Sequence, residues 1–525
     1  MKILLINPRS EDDYFRNAIE QVTLISKMMK KGSHAAFSPL ALTTIAALTP
    51  AEHEVDIHDE FMSGPAEEVA TEKDYDIIGI TSLVNQVNRT LELARHFSTT
   101  SSNCCLVAGG AGTMKMSEDD LGVFNVVFYG EAEDSWPQFL QELATGHAKP
   151  VYQQDVRPDM TKSPIPRWEP IAENIPRYGA VTVQTTRGCP FDCDFCDVIH
   201  IYGRTQRSKE ISQVVEEVRV VQQLGGKLVM LADDNFGSKR AYAKTLLREL
   251  IAFNHTLEVP LGYITQSDIT ISEDEELLEL MADCNFIQVL IGIESVDQNS
   301  LENINKKQNL RTDMLAAVKK IQSYCVPVLG SIIFGMDSDD QEIFQKTITF
   351  VEEASIMDHN CHPLMAPEGT RLWHRMKAEG RLVNLDKKSQ DRMDILTNII
   401  PKNLTRSQLM EGLADYSDVV YDPDHFARRV IGFIHNVKRK PNVGKIKVSS
   451  FWRFRKMMTR TFFYYTTGVP KGHRKAFFSI MKEAMRHAPF LIPKLMFIYT
   501  SFLINEKRAE VASRLAREYI EQSPS

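Results

Sequence analysis

The sequence predicts an α/β protein in three parts: a doubly wound (Rossmann-like) domain, a parallel barrel, complete or partial, and a mainly helical carboxyl-terminal region. Two observations carry this. Short apolar runs without alternation recur between helical stretches, as strands buried on both faces of a parallel sheet require. Beyond Leu382 those runs fade, and helical, aromatic, basic sequence replaces them. The 525 residues, 43% hydrophobic and 25% charged, exclude a disordered or low-complexity chain.

Residues 1–150 hold five strand candidates: Lys2–Ile6, Glu54–Ile57, Asp76–Ser82, Cys104–Gly109 and Asn125–Tyr129. The apolar core of Met1–Pro8 is too short for a signal peptide and reads as the first strand. Sheets of this kind bind ligands beyond the carboxyl ends of their strands. Here those ends carry Ser82, Gly109, Gly110, Gly130 and Glu131, a set that tight turns alone would also explain.

Residues 151–180 form a connector containing Pro158, Pro164, Pro166 and Pro170. A second α/β region spans 181–382, with strands expected at Val181–Thr185, Leu228–Ala232, Leu261–Ile264, Phe286–Ile291 and Val328–Phe334. The helix expected at Ser208–Leu224 puts Ile211, Val214, Val215, Val218 and Val221 on one face, and Gly225-Gly226 ends it. Residues 383–525 complete the chain. From Lys438 to Arg486 there are 14 Lys/Arg and one acid, Glu483, so this stretch carries +13. Since the whole chain is −8, the remainder is −21. The longest late apolar run, Leu495–Ile504, falls short of the roughly 20 residues of a spanning helix, and a cytoplasmic protein with reduced thiols is expected.

The strongest feature is Arg187-Gly-Cys189-Pro-Phe-Asp-Cys193-Asp-Phe-Cys196. Three cysteines at C-x3-C-x2-C directly after a strand make a thiolate cup. It can hold three irons of a [4Fe–4S] cluster and leave the fourth open, unlike the four-cysteine runs of ferredoxins. Structural zinc would need a fourth ligand, for which His200 is in range. The other five cysteines, Cys104, Cys105, Cys284, Cys325 and Cys361, read as packing residues.

This spacing, with Phe195 before the last cysteine, resembles the signature of the radical S-adenosylmethionine enzymes. The resemblance implies a partial (β/α)6 barrel whose first strand leads into the cluster loop, and an open iron chelated by the cofactor. It further implies that Phe195, Asp233, Asp234, Ser267 and Glu294 contact S-adenosylmethionine, with Ile333-Phe-Gly335 as the adenine-side strand. Phe37-Ser-Pro39, Ile80-Thr-Ser82, Val107-Ala-Gly-Gly110 and Tyr129-Gly-Glu-Ala-Glu133 resemble the cobalamin-binding domain that precedes the barrel in one subclass. Ser82, Gly109, Gly110, Gly130 and Glu131 would then meet the corrin. The usual D-x-H-x-x-G signature is incomplete, since Asp56-Ile-His58 lacks its glycine. Asp159–Pro166, Arg187–Asp197, Tyr202-Gly-Arg204, Arg207-Ser-Lys209, Lys307-Gln-Asn309 and Leu372–Leu382 together resemble the hopanoid C-2 methylases.

That likeness implies methylation of an unactivated carbon, on a hopanoid or other lipid. One S-adenosylmethionine would provide a radical that removes hydrogen, and methylcobalamin would provide the methyl group. An electron donor such as flavodoxin or ferredoxin is implied as a partner. A non-methylating radical reaction and a non-catalytic iron–sulfur sensor are the alternatives. Tyr202 and Arg204, just past the loop, are expected either to line the gap between the α/β regions or to pack and form ion pairs. The tail (Phe451–Lys456, Phe462–Tyr465, Phe477-Phe478) is expected to pack its aromatics inward with a solvated basic face, or to dock on an anionic bilayer. Nucleic acid ranks last, since no RNA-binding module is present.

Overall fold

The computed structural model describes residues 1–9, 34–69, 73–101, 103–154, 156–383, 385, 396–444, 459 and 462–522. The expected tail segment Phe451–Lys456 lies outside the described residues. Two parallel sheets organise the molecule. The first contains β1 (Lys2–Asn7), β3 (Glu54–Asp59), β4 (Ile77–Thr81), β5 (Cys105–Gly109), β6 (Val126–Tyr129) and β7 (Val151–Gln153), in the order β3-β1-β4-β5-β6-β7. Alternate residues of β1 serve two separate cores. Leu4 and Ile6 pack with Leu91, Ala94 and Phe97 of the helix Val87–Thr100. Ile3 and Leu5 pack with Leu42, Trp136 and Phe139 of the helices Leu40–Leu48 and Ser135–Ala144. An apolar strand without alternation is what such two-sided burial demands.

The second sheet has seven parallel strands and curls into a half barrel. It joins β8 (Tyr178–Val183), β11 (Leu228–Leu231), β12 (Gly262–Ser267), β13 (Phe286–Glu294), β14 (Val328–Phe334) and β15 (Asp358–Pro363) in succession, and β2 (His34–Phe37) pairs with the outer edge of β8. The expected helix is found at Ile211–Gln223, with Val214, Val218 and Val221 buried, and Gly225 at φ 92° leaves it in a conformation that favours glycine. Five strands have no counterpart among those expected: β2, β7, β15 and the short antiparallel pair β9 (Thr186–Arg187) and β10 (Arg207–Ser208). Because β2 arises from the amino-terminal stretch, it stitches that stretch to the barrel. Ser38 Oγ accepts from Thr182 N at 2.9 Å, and Tyr178 donates its hydroxyl to Asp59 at 2.7 Å.

The carboxyl-terminal residues form the helices Arg406–Val420, Pro423–Asn436, Lys471–His487 and Ile492–Gln522. The first of these packs Leu409, Met410, Leu413 and Tyr416 into the barrel core. The others enclose a second core around Phe426, Phe433, Tyr465, Phe477, Tyr499 and Phe502. Among the described residues no helix is long and apolar enough to cross a membrane.

Candidate active site

The cysteine loop leaves the carboxyl end of β8 and is rooted by one acid. Asp233, fully buried, accepts from the main-chain N–H groups of Thr185 (2.8 Å) and Thr186 (2.9 Å) and from both their hydroxyls (2.5 and 2.8 Å). Those four donors occupy the lone-pair positions of its carboxylate. Asp233 therefore fastens the loop root. Its neighbour Asp234 is less enclosed and accepts one bond, from Gly188 N at 2.6 Å. Burial pushes its pKa up to about 6.

Cys193 is buried, and Cys189 and Cys196 are partly so; all eight cysteines are free thiols. Burial raises the pKa of all three loop cysteines, that of Cys196 to about 12, so metal loading must displace protons. Asn235 Nδ2 approaches Cys189 Sγ at 3.8 Å, and Gln308 Nε2 approaches Cys193 Sγ at the same distance. Donors of this kind tune iron–sulfur sites. His200, just beyond the loop, is exposed.

Lys306 and Glu294 pair at 2.7 Å beside the loop, both buried, and the ammonium lies 5.9 Å from the centre of the Phe195 ring. Burial pulls the lysine pKa down, but Glu294 and the loop thiols outweigh this and hold it above its ordinary value. A permanent cation is thus fixed beside the thiols, suited to an anionic cluster. Glu294 has φ 63°, uncommon for a non-glycine residue. Ser267, also buried, donates to the carbonyl of Phe236 at 2.5 Å. Ile333 and Phe195 border the apolar cluster around Ile304, Met336 and Leu372.

A cavity of about 300 Å³ opens at the carboxyl ends of the first sheet. Thr81, Gly109, Gly110, Gly130 and Glu131 line one side, and Gln184, Arg187, Ile201 and Tyr202, which bracket the cysteine loop, line the other. Gly110 sits at φ 93°, and a Cβ there would come within 2.6 Å of the Ser82 carbonyl, so only glycine lets this floor pack so closely on Ser82. Ser82 lies beneath the floor, completely buried, and does not line the cavity. Glu131 joins the two sides. It receives Arg187, and Arg207 through Nη2 at 2.7 Å, while Glu133 holds Arg187 at 2.8 Å. Tyr202 faces the cavity with the Arg187 guanidinium 5.8 Å from its ring centre. Arg204 does not line it: exposed, it pairs with Asp192 at 3.6 Å and donates to the Pro190 carbonyl.

The Radical SAM superfamily model matches residues 183–351, and a domain of unknown function (DUF4070) matches 370–516. The hopanoid C-2 methylase of Rhodopseudomonas palustris is 30% identical over 75% of this chain and 73% of its own. The chain belongs to the cobalamin-dependent radical S-adenosylmethionine methyltransferases. An uncharacterized methyltransferase of Synechocystis, sll1242, is 29% identical over 76% of this chain and 73% of its own. In fold, the radical S-adenosylmethionine methyltransferase TsrM of Kitasatospora setae, solved with cobalamin and a [4Fe–4S] cluster, superposes with a TM-score of 0.57 at 16% identity, covering 73% of this chain and 79% of its own. The cobalamin-dependent radical enzyme OxsB superposes with 0.61 at 12% identity, over 99% of this chain and 80% of its own.

The Radical SAM match brings S-adenosylmethionine, and the residues fit an iron–sulfur cluster and a corrin beside it. Three thiols share one loop, a buried cation stands beside it, and a glycine floor lies across one cavity from the residues that bracket the loop. Sequence reasoning did not single out Lys306, Gln308, Arg187 or Arg207 as site residues. The only signal for the arginines was their place beside the cysteines and within Arg207-Ser-Lys209. Lys306 gains its role from a partner twelve residues away, at the end of β13, that the short helix Gln298–Asn303 between them brings near.

Proposed function

We propose that this protein methylates an unactivated carbon of a polycyclic lipid, of which a hopanoid is the leading example. The observation that supports this best is the shared cavity, with strand-end glycines on one side and the roots of the cysteine loop on the other. The names of its relatives, methylases of a hopanoid and of bacteriochlorophyllide, favour a large polycyclic substrate.

When bound, the cofactors supply one-electron removal of a hydrogen atom from a C–H bond that no side-chain base deprotonates, and a methyl group to replace it. The chain's own residues bind and orient. In this assignment Cys189, Cys193 and Cys196 hold three irons, with Asn235 and Gln308 donating to two of the sulfurs. Phe195, Asp234, Ser267 and Glu294 border S-adenosylmethionine, and Gly109, Gly110 and Gly130 floor the corrin. Glu131, gripping Arg187 and Arg207, fixes the distance between that floor and the loop. Leu40, Ile45 and Met114 keep water from the gap. Electrons come from a reduced flavodoxin- or ferredoxin-type donor.

Anaerobic reconstitution tests the reading. The loaded protein, given lipid extract and a reductant, should release both 5′-deoxyadenosine and S-adenosylhomocysteine. Deoxyadenosine without the homocysteine product would point to a non-methylating radical reaction. Absence of both from a fully loaded, reducible protein would leave only a sensor role.

A further inference from the structure

The helix Lys471–His487 divides its sides unusually. One side buries Ala476, Phe477, Ile480, Met481 and Ala484 in the second core. Helical spacing gathers Lys471, Lys475, Phe478, Lys482 and Met485 on the other, where an ordinary surface helix would be polar throughout. Phe478 is 50% exposed and Met485 61%. Phe463, at 67%, and Phe462, whose ring centre lies 6.5 Å from that of Phe478, extend the apolar patch from the preceding helical segment, residues 462–467. Among the described residues Lys471, Lys482 and Arg486 make no ion pair, and Lys475 only an exposed one with Asp424 at 3.2 Å. The nearby His435–Glu483–His487 cluster does not neutralise this face. Its nitrogen–oxygen distances of 2.7 and 3.1 Å are those of hydrogen bonds, and the surrounding cations oppose a metal ion.

We propose that this face docks the protein on the surface of an anionic lipid bilayer. The cations complement lipid phosphates, and the Phe and Met side chains between them are placed to enter the acyl boundary, as interfacial helices do. A second copy of the same face would bring like charges together. Nucleic acid would satisfy the cations but would leave Met485, which has no π-face, exposed. The rest of the chain is net acidic, so an anionic surface repels it and orients this face inward. The docking complements the lipid-substrate reading but does not depend on it, because it is measured without turnover.

The test is flotation of the full, reconstituted chain with vesicles of phosphatidylcholine plus phosphatidylglycerol, and with phosphatidylcholine alone. Binding should favour the anionic vesicles and weaken with salt. The triple variant Lys471→Glu, Lys482→Glu, Arg486→Glu should bind at least about tenfold less. The double variant Phe463→Ser, Phe478→Ser, which keeps every charge, should also lose about tenfold. Unchanged melting temperatures for both variants would tie those losses to the surface. Failure of the wild type to float, or equal flotation of both variants, overturns the proposal. So does retention by transfer RNA in place of vesicles.

Discussion

The two ends of the seven-stranded sheet handle buried charge in opposite ways. At the carboxyl end charges face partners on neighbouring strands or loops: Asp233 meets four donors, Glu294 meets Lys306, and Asp234 holds a single bond with a side left open. At the amino end single polar groups are sealed by the terminal helices. Lys494, on the helix Ile492–Gln522, donates to the carbonyls of Phe286 and Cys325 at 2.8 and 2.9 Å, and burial lowers its pKa. Asp358, at the start of β15, accepts from Ser501 and Asn505. One end keeps capacity for ligands and the other is closed, although the same strands build both.

The sharpest break of this comparison is Cys193→Ala. It should leave the fold intact and abolish iron uptake and both products; retained cleavage of S-adenosylmethionine would remove the cysteine loop from the reaction. Next is Asp233→Ala, which strands four buried donors and should cost on the order of 3–5 kcal/mol in chemical denaturation. A loss below about 1 kcal/mol would mean water replaces the carboxylate. At the closed end Lys494→Met should cost less, about 2–3 kcal/mol, because two carbonyls lose their donor while the burial of an amine is relieved. That variant should leave iron content unchanged, and a matching loss of iron would show that the two ends are coupled.

The legible parts of the fold were those whose residues meet a sheet on both faces. Val328–Phe334 appears as expected, and each of the five strands read in the first 150 residues is present. By contrast β15, Asp-His-Asn-Cys-His-Pro, carries no strand pattern. Its outer contacts are hydrogen bonds to helices more than fifty residues away, such as Tyr421 donating to the His359 carbonyl at 2.8 Å. Likewise β2 has four residues, and it lies parallel to β8, whose Thr182 binds Ser38 across 144 positions, a pairing that local pattern does not encode. The site divides similarly. The cysteines announce themselves by spacing, whereas the grip of Glu131 on Arg187 and Arg207 spans 56 and 76 positions and exists only once the two sheets meet.

The closed end also yields the smallest and most specific expectation. His359 is completely buried, its ring stacked on Tyr421 at 5.4 Å and edge-on to Tyr416 at 5.7 Å, and neither ring nitrogen has a partner. Burial first, then the nearby Arg429, lowers its pKa to about 3. The folded protein therefore keeps this imidazole neutral, while the unfolded chain protonates it below about pH 6.5. Between about 6.5 and 3 the unfolded state binds the extra proton, so stability must fall as pH falls, by at most about 1.4 kcal/mol per unit. Full stability from this group is present above the upper value. His359→Phe keeps the ring stacking and removes the proton site, so its denaturation midpoint should decline less between pH 6.5 and 5.5 than that of the wild type. Parallel declines would show that water reaches the ring, and the amino end of the sheet would no longer count as closed.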